Sequence, residues 1–283
     1  ALRRVIREHA IDVVDAHNYE GLMAALAAGK RPIVYHAHNT MADELPHFLP
    51  FPDAARRFGA WLDRTFPRRA DYIVAPHARL ADYLEECGCD GSRIAVIPPS
   101  VDAALFTPCA IRGGISPVLY AGNLDAYQNL GLLERAMARV RETLPAARWV
   151  VATAQTAVYP GAEVVAVRSF ADLRTLLSSD AVFACPRTSW SGYPIKLLNA
   201  MAAGMPIVAC QSSAYPLVHE HSALIVPDDD AEAFADALLR LLRDPALRLS
   251  LGANARAAAY ENHAPGTVAT ATEAVYSALL ARD

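Results

Sequence analysis

The sequence predicts an α/β protein built of two Rossmann-like, doubly wound parallel-sheet lobes. Three observations carry this expectation. Short apolar runs alternate with stretches of helical period along almost the whole chain. The alternation breaks once, over residues 102–117, where prolines and Gly113-Gly114 replace periodicity, and then restarts. The length, 283 residues, exceeds that of a usual single domain.

The elements follow in order. Residues 11–16 form a short apolar strand and 19–28 a helix. Residues 32–36 read as a second strand, 54–66 as a helix, 72–75 as a strand and 78–87 as a helix. The strand at 93–97 stops at Pro98-Pro99. Beyond the break, 118–121 is a strand, and 130–143 is a helix with Leu132, Leu133, Ala136 and Val140 on one face. Strands at 149–152 and 164–167, a helix at 170–178 and a strand at 181–184 come next. Residues 206–210 and 224–226 are the last strands; helices at 231–243, 245–261 and 267–282 close the chain. Each helix between two strands makes a βαβ unit. The expected division is a first lobe over 1–106, a second over 107–262, and a terminal helix over 263–283 that crosses back to the first lobe. Ligand is expected in the cleft at the strand carboxyl ends.

Composition excludes several classes. An apolar share of 53% fills two cores, and a net charge of −4 argues against a nucleic-acid binder. No apolar run approaches the roughly 18 residues of a membrane span. The five cysteines are odd in number and scattered, which fits a reducing cytoplasm. Cys87-Gly-Cys89 has no second pair, and Cys185 and Cys210 read as small core residues. Asp228-Asp-Asp230 precedes a helix and reads as a cap, so no metal ligands are expected.

The stretch from Ser191 to Val208 is the most informative. Ser191-Gly192 is read as opening a helix with Pro194 in its first turn. Leu197, Leu198 and Met201 face inward; Gly204 and Pro206 end the helix. Its N-terminus suits an anion such as a diphosphate. Lys196, and Arg187 in the loop before it, can each add a charge; an exposed surface cation is the competing reading of both. His36-Ala-His38-Asn39 follows a buried strand at the sheet edge, and His17-Asn18 ends the strand before. His47, His77 and His263 have no partner in sequence and are expected in solvent.

These pieces resemble a family. Asp71-Tyr-Ile-Val-Ala-Pro76, Ile97-Pro-Pro-Ser-Val-Asp102, Leu119-Tyr-Ala-Gly-Asn123, the Ser191–Val208 stretch and Ser222-Ala-Leu-Ile-Val-Pro-Asp228 occur in the order found in GT-B glycosyltransferases. The chain is most similar to family 4, group 1, which uses nucleotide sugars with retention of configuration. The resemblance covers about residues 11–262. It implies a donor site made by Gly122, Asn123, Gln128, Arg187, Ser191, Gly192, Tyr193, Pro194, Lys196 and Asn199. It also implies that His38 orients the sugar, with His17, Asn18 and His36 on the acceptor side. No cofactor or metal is implied, because helix dipole and cations neutralise the leaving diphosphate.

The chain departs from the family where it has Asn123, Gln128, Ser191 and Asn199 in place of an arginine, a lysine and two glutamates. Each change exchanges a charge for a neutral hydrogen-bonding group. The glycine-rich loop with which such enzymes begin is also missing before Ala1, so the first lobe is expected to be incomplete.

The resulting expectation is a transferase moving a sugar from a nucleoside-diphosphate sugar to a carbohydrate or lipid-linked acceptor, in cell-envelope or exopolysaccharide synthesis. A nucleotide-sugar-binding pseudoenzyme and a GT-B epimerase are the alternatives. In residues 55–69, Phe58, Trp61, Leu62 and Phe66 recur at helical spacing among Arg56, Arg57, Arg64, Arg68 and Arg69. The expected use of that stripe is packing on its own sheet. Peripheral contact with an anionic membrane on the cytoplasmic side is the alternative.

Overall fold

The alternation of apolar runs and helices becomes two parallel sheets in the structure, a computed structural model that describes residues 1–29, 32–112 and 114–281. Gly113 of the break and Arg282 at the end of the last helix lie outside the described residues. One compact unit holds Ala1–Pro99, Trp190–Tyr193 and the segment from Pro265 onward; the other holds Ser100–Ser189 and Pro194–Ala264.

The first unit runs α1 (Leu2–Glu8), β1 (Val14–His17), α2 (Asn18–Ala28), β2 (Ile33–His36), α3 (Met41–Glu44), α4 (Pro52–Thr65), β3 (Tyr72–Ala75), α5 (Ala78–Glu86) and β4 (Ile94–Val96). Its four strands lie in chain order, with Val14 opposite Ile33 and His17 opposite His36. Alternate side chains of a strand point to opposite faces. Ile33, Tyr35, Ile73 and Ala75 therefore meet Leu22, Leu80 and Leu84 on one face. Val34 and Val74 meet Val275 and Leu279 of the last helix on the other. Each of the larger of these side chains contributes about 1.5–3 kcal/mol by leaving water.

Two expectations for this unit are corrected. Only the end of the α4 stripe packs on the sheet core, through Phe66: Phe58 and Trp61 are 51% and 53% exposed, and their rings stack on each other with centroids 5.8 Å apart. The buried residues of α4 are instead Ala55, Gly59 and Asp63. The reason is α3, a short helix with no sequence periodicity, which Thr40 caps by accepting from the Asp43 N–H at 3.2 Å. It lies so close that a Cβ on Gly59 would sit 2.3 Å from the Met41 carbonyl oxygen. Asp63 accepts the N–H groups of Met41 and Ala42 at 2.9 and 3.0 Å and the Tyr83 hydroxyl at 3.0 Å. Second, His77 is buried, and its Nδ1 caps α5 by accepting from Leu80 N–H at 3.1 Å. A side chain at an N-cap is used by the backbone.

The second unit runs β5 (Val118–Ala121), α6 (Leu130–Thr143), β6 (Trp149–Thr153), β7 (Glu163–Ala166), α7 (Phe170–Leu177), β8 (Val182–Cys185), α8 (Ile195–Ala202), β9 (Ile207–Cys210), β10 (Leu224–Val226), α9 (Ala231–Arg243) and α10 (Pro245–Asn262). The sheet order is β10-β9-β8-β5-β6-β7. The chain thus winds outward from β5 to β7, then returns to lie on the other side of β5. That reversal is a topological switch point. Strands β5, β8 and β9 are buried at every residue, with Cys185 and Cys210 in the core.

His263, expected in solvent, is buried, and its carbonyl accepts the Val101 N–H at 2.8 Å. The acidic run divides its work: Asp230 caps α9, Asp228 accepts from Ser212, and Asp229 accepts from Asn129. The last helix, α11 (Pro265–Leu280), belongs to the first unit.

Candidate functional site

The site of the second unit starts from β5. Its last residue, Ala121, is followed by Gly122 at φ +155°, where a Cβ would lie 3.0 Å from Lys196 Nζ and 3.2 Å from the Tyr120 hydroxyl. Only glycine lets those two groups come this close to the backbone. Lys196, in the first turn of α8, reaches across to donate to the Tyr120 hydroxyl at 2.8 Å and to the side-chain oxygen of Gln128. Its ammonium lies 4.5 Å from the Tyr120 ring centroid. The Tyr120 hydroxyl donates in turn to the Asn123 carbonyl at 2.5 Å. Gln128 donates to Asn123 Oδ1 at 2.6 Å, and Asn123 donates to Asp125 at 2.5 Å and to the Tyr127 hydroxyl at 3.0 Å.

The two neutral residues that depart from the family pattern thus form one network around one cation. Burial pushes the Lys196 ammonium down to about 8, and the nearby Arg187 charge acts in the same direction. An ammonium has three donors; Tyr120 and Gln128 take two, which leaves one for a ligand among the described residues.

Arg187, also expected at this site, is buried after β8. It donates to the Ser189 carbonyl at 3.2 Å and to its hydroxyl at 3.1 Å, and lies 5.3 Å from the Tyr127 ring centroid. The surface-charge reading fails for it and for Lys196, since both are held by the fold.

Helix α8 does not begin as the sequence suggests. Pro194 is its N-cap, at ψ 88°, and Ile195 its first residue. Among the described residues no side chain caps it, so its first N–H groups depend on other partners. Ser191, Gly192 and Tyr193 belong to the first unit. There the Ser191 hydroxyl donates to Asp43 at 2.8 Å, and the Ser191 carbonyl lies 3.2 Å from His77 Nε2. Ser191 is therefore not assembled with Lys196 by any contact of the second unit.

A cavity of about 270 Å³ opens at the carboxyl ends of β5 and β6, at the switch point. Val167, Leu173, Leu177 and Phe183 make an apolar wall, and Asn123, Thr153, Gln155, Lys196 and Asn199 supply polar groups. Of the expected donor residues, Gly122, Asn123, Lys196 and Asn199 line it. Gln128 acts behind them through Lys196. Tyr120, Thr153 and Gln155 were not singled out from the sequence. Their signal, a position at or just past a strand's carboxyl end, was present but shared with many residues.

The first unit gathers the other expected residues at its own sheet edge. His17 Nδ1 and His38 Nε2 are 3.0 Å apart, and the His17 and His36 rings stack with centroids 4.4 Å apart. Asn18 opens α2 at φ +62°, exposed to solvent. Burial lowers His38 below the usual imidazole range, and the adjacent His17 and His36 act in the same direction. That favours the neutral ring beside His17. Asp15, also not singled out from the sequence, faces both rings. Burial raises its carboxyl, but His36, Tyr276 and His17 outweigh this and hold it below the ordinary range. The period-two spacing of Asp15 and His17 was the available signal.

The model described as "Glycosyltransferase Family 4" matches residues 1–105, and "Glycosyl transferases group 1" matches residues 116–244. The chain is 26% identical, over 95% of its length and 72% of the relative's, to a D-inositol 3-phosphate glycosyltransferase of Kineococcus radiotolerans. It is 28% identical, over 89% and 80%, to the lipopolysaccharide core biosynthesis mannosyltransferase LpcC of Rhizobium leguminosarum. Among solved structures, a sucrose-phosphate synthase from Thermosynechococcus elongatus superposes with a TM-score of 0.86 at 18% identity, over 100% of this chain and 77% of that one. HepE of Anabaena, solved in complex with UDP, gives 0.78 at 17% identity, over 98% and 82%.

Proposed function

We propose, from the premise that this chain belongs to the family 4, group 1 glycosyltransferases with the GT-B fold, that it transfers a sugar from a nucleoside-diphosphate sugar. The single observation behind the donor class is Lys196, a partly buried ammonium beside an uncapped helix N-terminus at the rim of the switch-point cavity. Helix N-terminal amides and a desolvated cation together favour an anion with several oxygens. The apolar wall of Val167, Leu173 and Phe183 suits a flat base and ribose. The structural relative in complex with UDP supports the same reading.

In the reaction, the bond from the sugar's anomeric carbon to the diphosphate oxygen breaks. An acceptor hydroxyl oxygen bonds to that carbon with retention of configuration, and its proton leaves with the diphosphate. Lys196, Arg187 and the α8 amides stabilise the charge that develops on the leaving group. His38 orients a sugar hydroxyl, with His17, Asn18 and His36 toward the acceptor. The acceptor class is a glycan or lipid-linked glycan, as in a relative named for lipopolysaccharide core synthesis.

The binding-only alternative keeps one supporting observation: Asn123 and Gln128 are neutral and bonded to each other. Calorimetry with UDP and GDP, paired with a donor-hydrolysis assay, separates the two. Micromolar binding with slow sugar release supports the transferase; binding without release supports the pseudoenzyme; no binding ends both.

Peripheral membrane contact belongs to the same proposal. Phe48, Phe51, Phe58 and Trp61 are exposed, and Arg56, Arg57, Arg64, Arg68 and Arg69 surround them. Such a surface suits an anionic membrane at its cytoplasmic face. No helix among the described residues is long and apolar enough to cross one. Co-sedimentation with anionic vesicles at low salt tests it, and absence of binding rejects it.

A further inference from the structure

Asp15 and His17 stand two residues apart on β1, and His36 faces His17 across the β1–β2 register. His36 Nε2 lies 3.1 Å from one Asp15 oxygen, and His17 Nε2 lies 3.5 Å from the other. One donor atom from each of the three residues falls within 4.8 Å of the others. In a tetrahedral zinc site with bonds of about 2.0–2.1 Å, donor atoms are separated by about 3.3–3.4 Å. The two measured separations, 3.1 and 3.5 Å, run to different oxygens of Asp15, so the three side chains lie within reach of one ion without yet forming that tetrahedron.

His36 Nε2 adds an independent observation. It is buried, yet among the described residues it makes no hydrogen bond of acceptable geometry. The Asp15 oxygen 3.1 Å away is its charged neighbour, and the same contact holds the Asp15 carboxyl low, so an ion would be shared by two groups that already face each other. The outer contacts are also those of a ligand set. A metal-bound histidine commonly donates its second N–H to an acceptor, which fixes its tautomer. His38 Nε2, 3.0 Å from His17 Nδ1, stands where such an acceptor is needed in the tautomer that leaves it unprotonated. The Tyr276 hydroxyl donates to Asp15 at 2.5 Å and orients the carboxylate.

From this geometry we infer that Asp15, His17 and His36 form a binding site for a divalent transition metal of the zinc class, with one coordination position left to a further ligand. Two imidazoles and a carboxylate without thiolate select zinc or cobalt over magnesium and calcium, which prefer all-oxygen shells. The rings of His17 and His36 stack with planes 19° apart, so their nitrogens do not share one plane. Metal entry therefore tilts one of them, and His17, whose side chain is 56% exposed, has room to turn. The site lies within the first unit, on the histidines that the proposed transferase turns toward its acceptor, and metal titration reads it without any transfer assay.

The test is titration of the tag-free 283-residue chain with Zn²⁺ by calorimetry and with Co²⁺ by visible absorption. The expected result is one equivalent bound, with the intense d–d bands of a four- or five-coordinate cobalt. Both are lost in Asp15→Asn and in His36→Gln, and both persist in the His221→Ala control. The outer-contact variant His38→Ala binds about 10–100-fold more weakly. Zn²⁺ also raises the melting temperature of the wild type and of His221→Ala, but not of the two ligand variants. Absence of stoichiometric binding by the wild type overturns the site without any variant having to fold. Equal binding by the wild type and folded Asp15→Asn and His36→Gln overturns it as well.

Discussion

At the carboxyl edge of the four-stranded sheet, three imidazoles and a carboxylate lie within reach of one another; at that of the six-stranded sheet, a single ammonium stands among neutral amides and hydroxyls. The difference follows from strand order. In the first sheet the strands run in chain order, so β1 and β2 end side by side and their polar tips meet. In the second the order reverses at β5, and the reversal opens a cavity in place of a cluster. A reversed sheet makes room for a ligand, whereas an ordered one brings its own side chains together.

Each unit also buries a charge that holds backbone across several residues, and the largest expected effects lie there. Asp63 in the first unit accepts two backbone N–H groups, and Arg248 in the second donates to the carbonyls of Leu241 and Arg112 at 2.8 and 2.9 Å. Removing one partner leaves the others unsatisfied, at about 1–3 kcal/mol for each stranded group. Asp63→Ala and Arg248→Ala are each expected to lower stability by about 3 kcal/mol in urea denaturation. A loss below about 1 kcal/mol in either would break the parallel between the units.

The next effect separates the units. Lys196→Met should weaken UDP binding by about 1.5–3 kcal/mol, the range for a hydrogen bond to a charged group. It should also raise the melting temperature, because a desolvated ammonium is replaced by an apolar chain. Calorimetry and thermal unfolding read the two changes, and a variant that loses both affinity and stability would make Lys196 a structural residue.

The pH dependence comes from the same group. The folded pKa of Lys196, about 8, lies below its ordinary value of 10.5. Between these values the unfolded chain binds the proton and the folded one does not, so this group makes stability rise with pH across that window. Nucleotide affinity moves the other way: it should fall as pH rises through about 8 and stay flat in Lys196→Met. The smallest effect is that of Tyr127→Phe, which removes the hydroxyl bonded to Asn123. UDP affinity should fall by about 0.5–1.5 kcal/mol.

Both sheets were legible wherever an apolar run was bounded by backbone punctuation. β5 ends where Gly122 turns, and α6 begins after Asn129 at φ +54°. Lys196 was picked out because it follows a helix start marked by Gly192 and Pro194, whereas Asn123 and Asn199 came only from the family resemblance; all three line the cavity. The orientation of α4 was not, since an aromatic stripe reads the same whether it faces a core or solvent. Its direction was decided by Gly59 and Asp63, which meet a four-residue helix that has no period of its own. The start of α8 was also misread, because Pro194 serves as a cap as readily as a first-turn residue. His77 and His263 were placed in solvent because their backbone partners are distant in sequence or supplied by a cap.

A crystal soaked with UDP is the most direct test of the donor site. The diphosphate should lie within hydrogen-bonding distance of Lys196 Nζ and of the first N–H groups of α8, with the uracil against Val167 and Phe183. Nucleotide bound elsewhere, with the α8 N-terminus unengaged, would contradict the account.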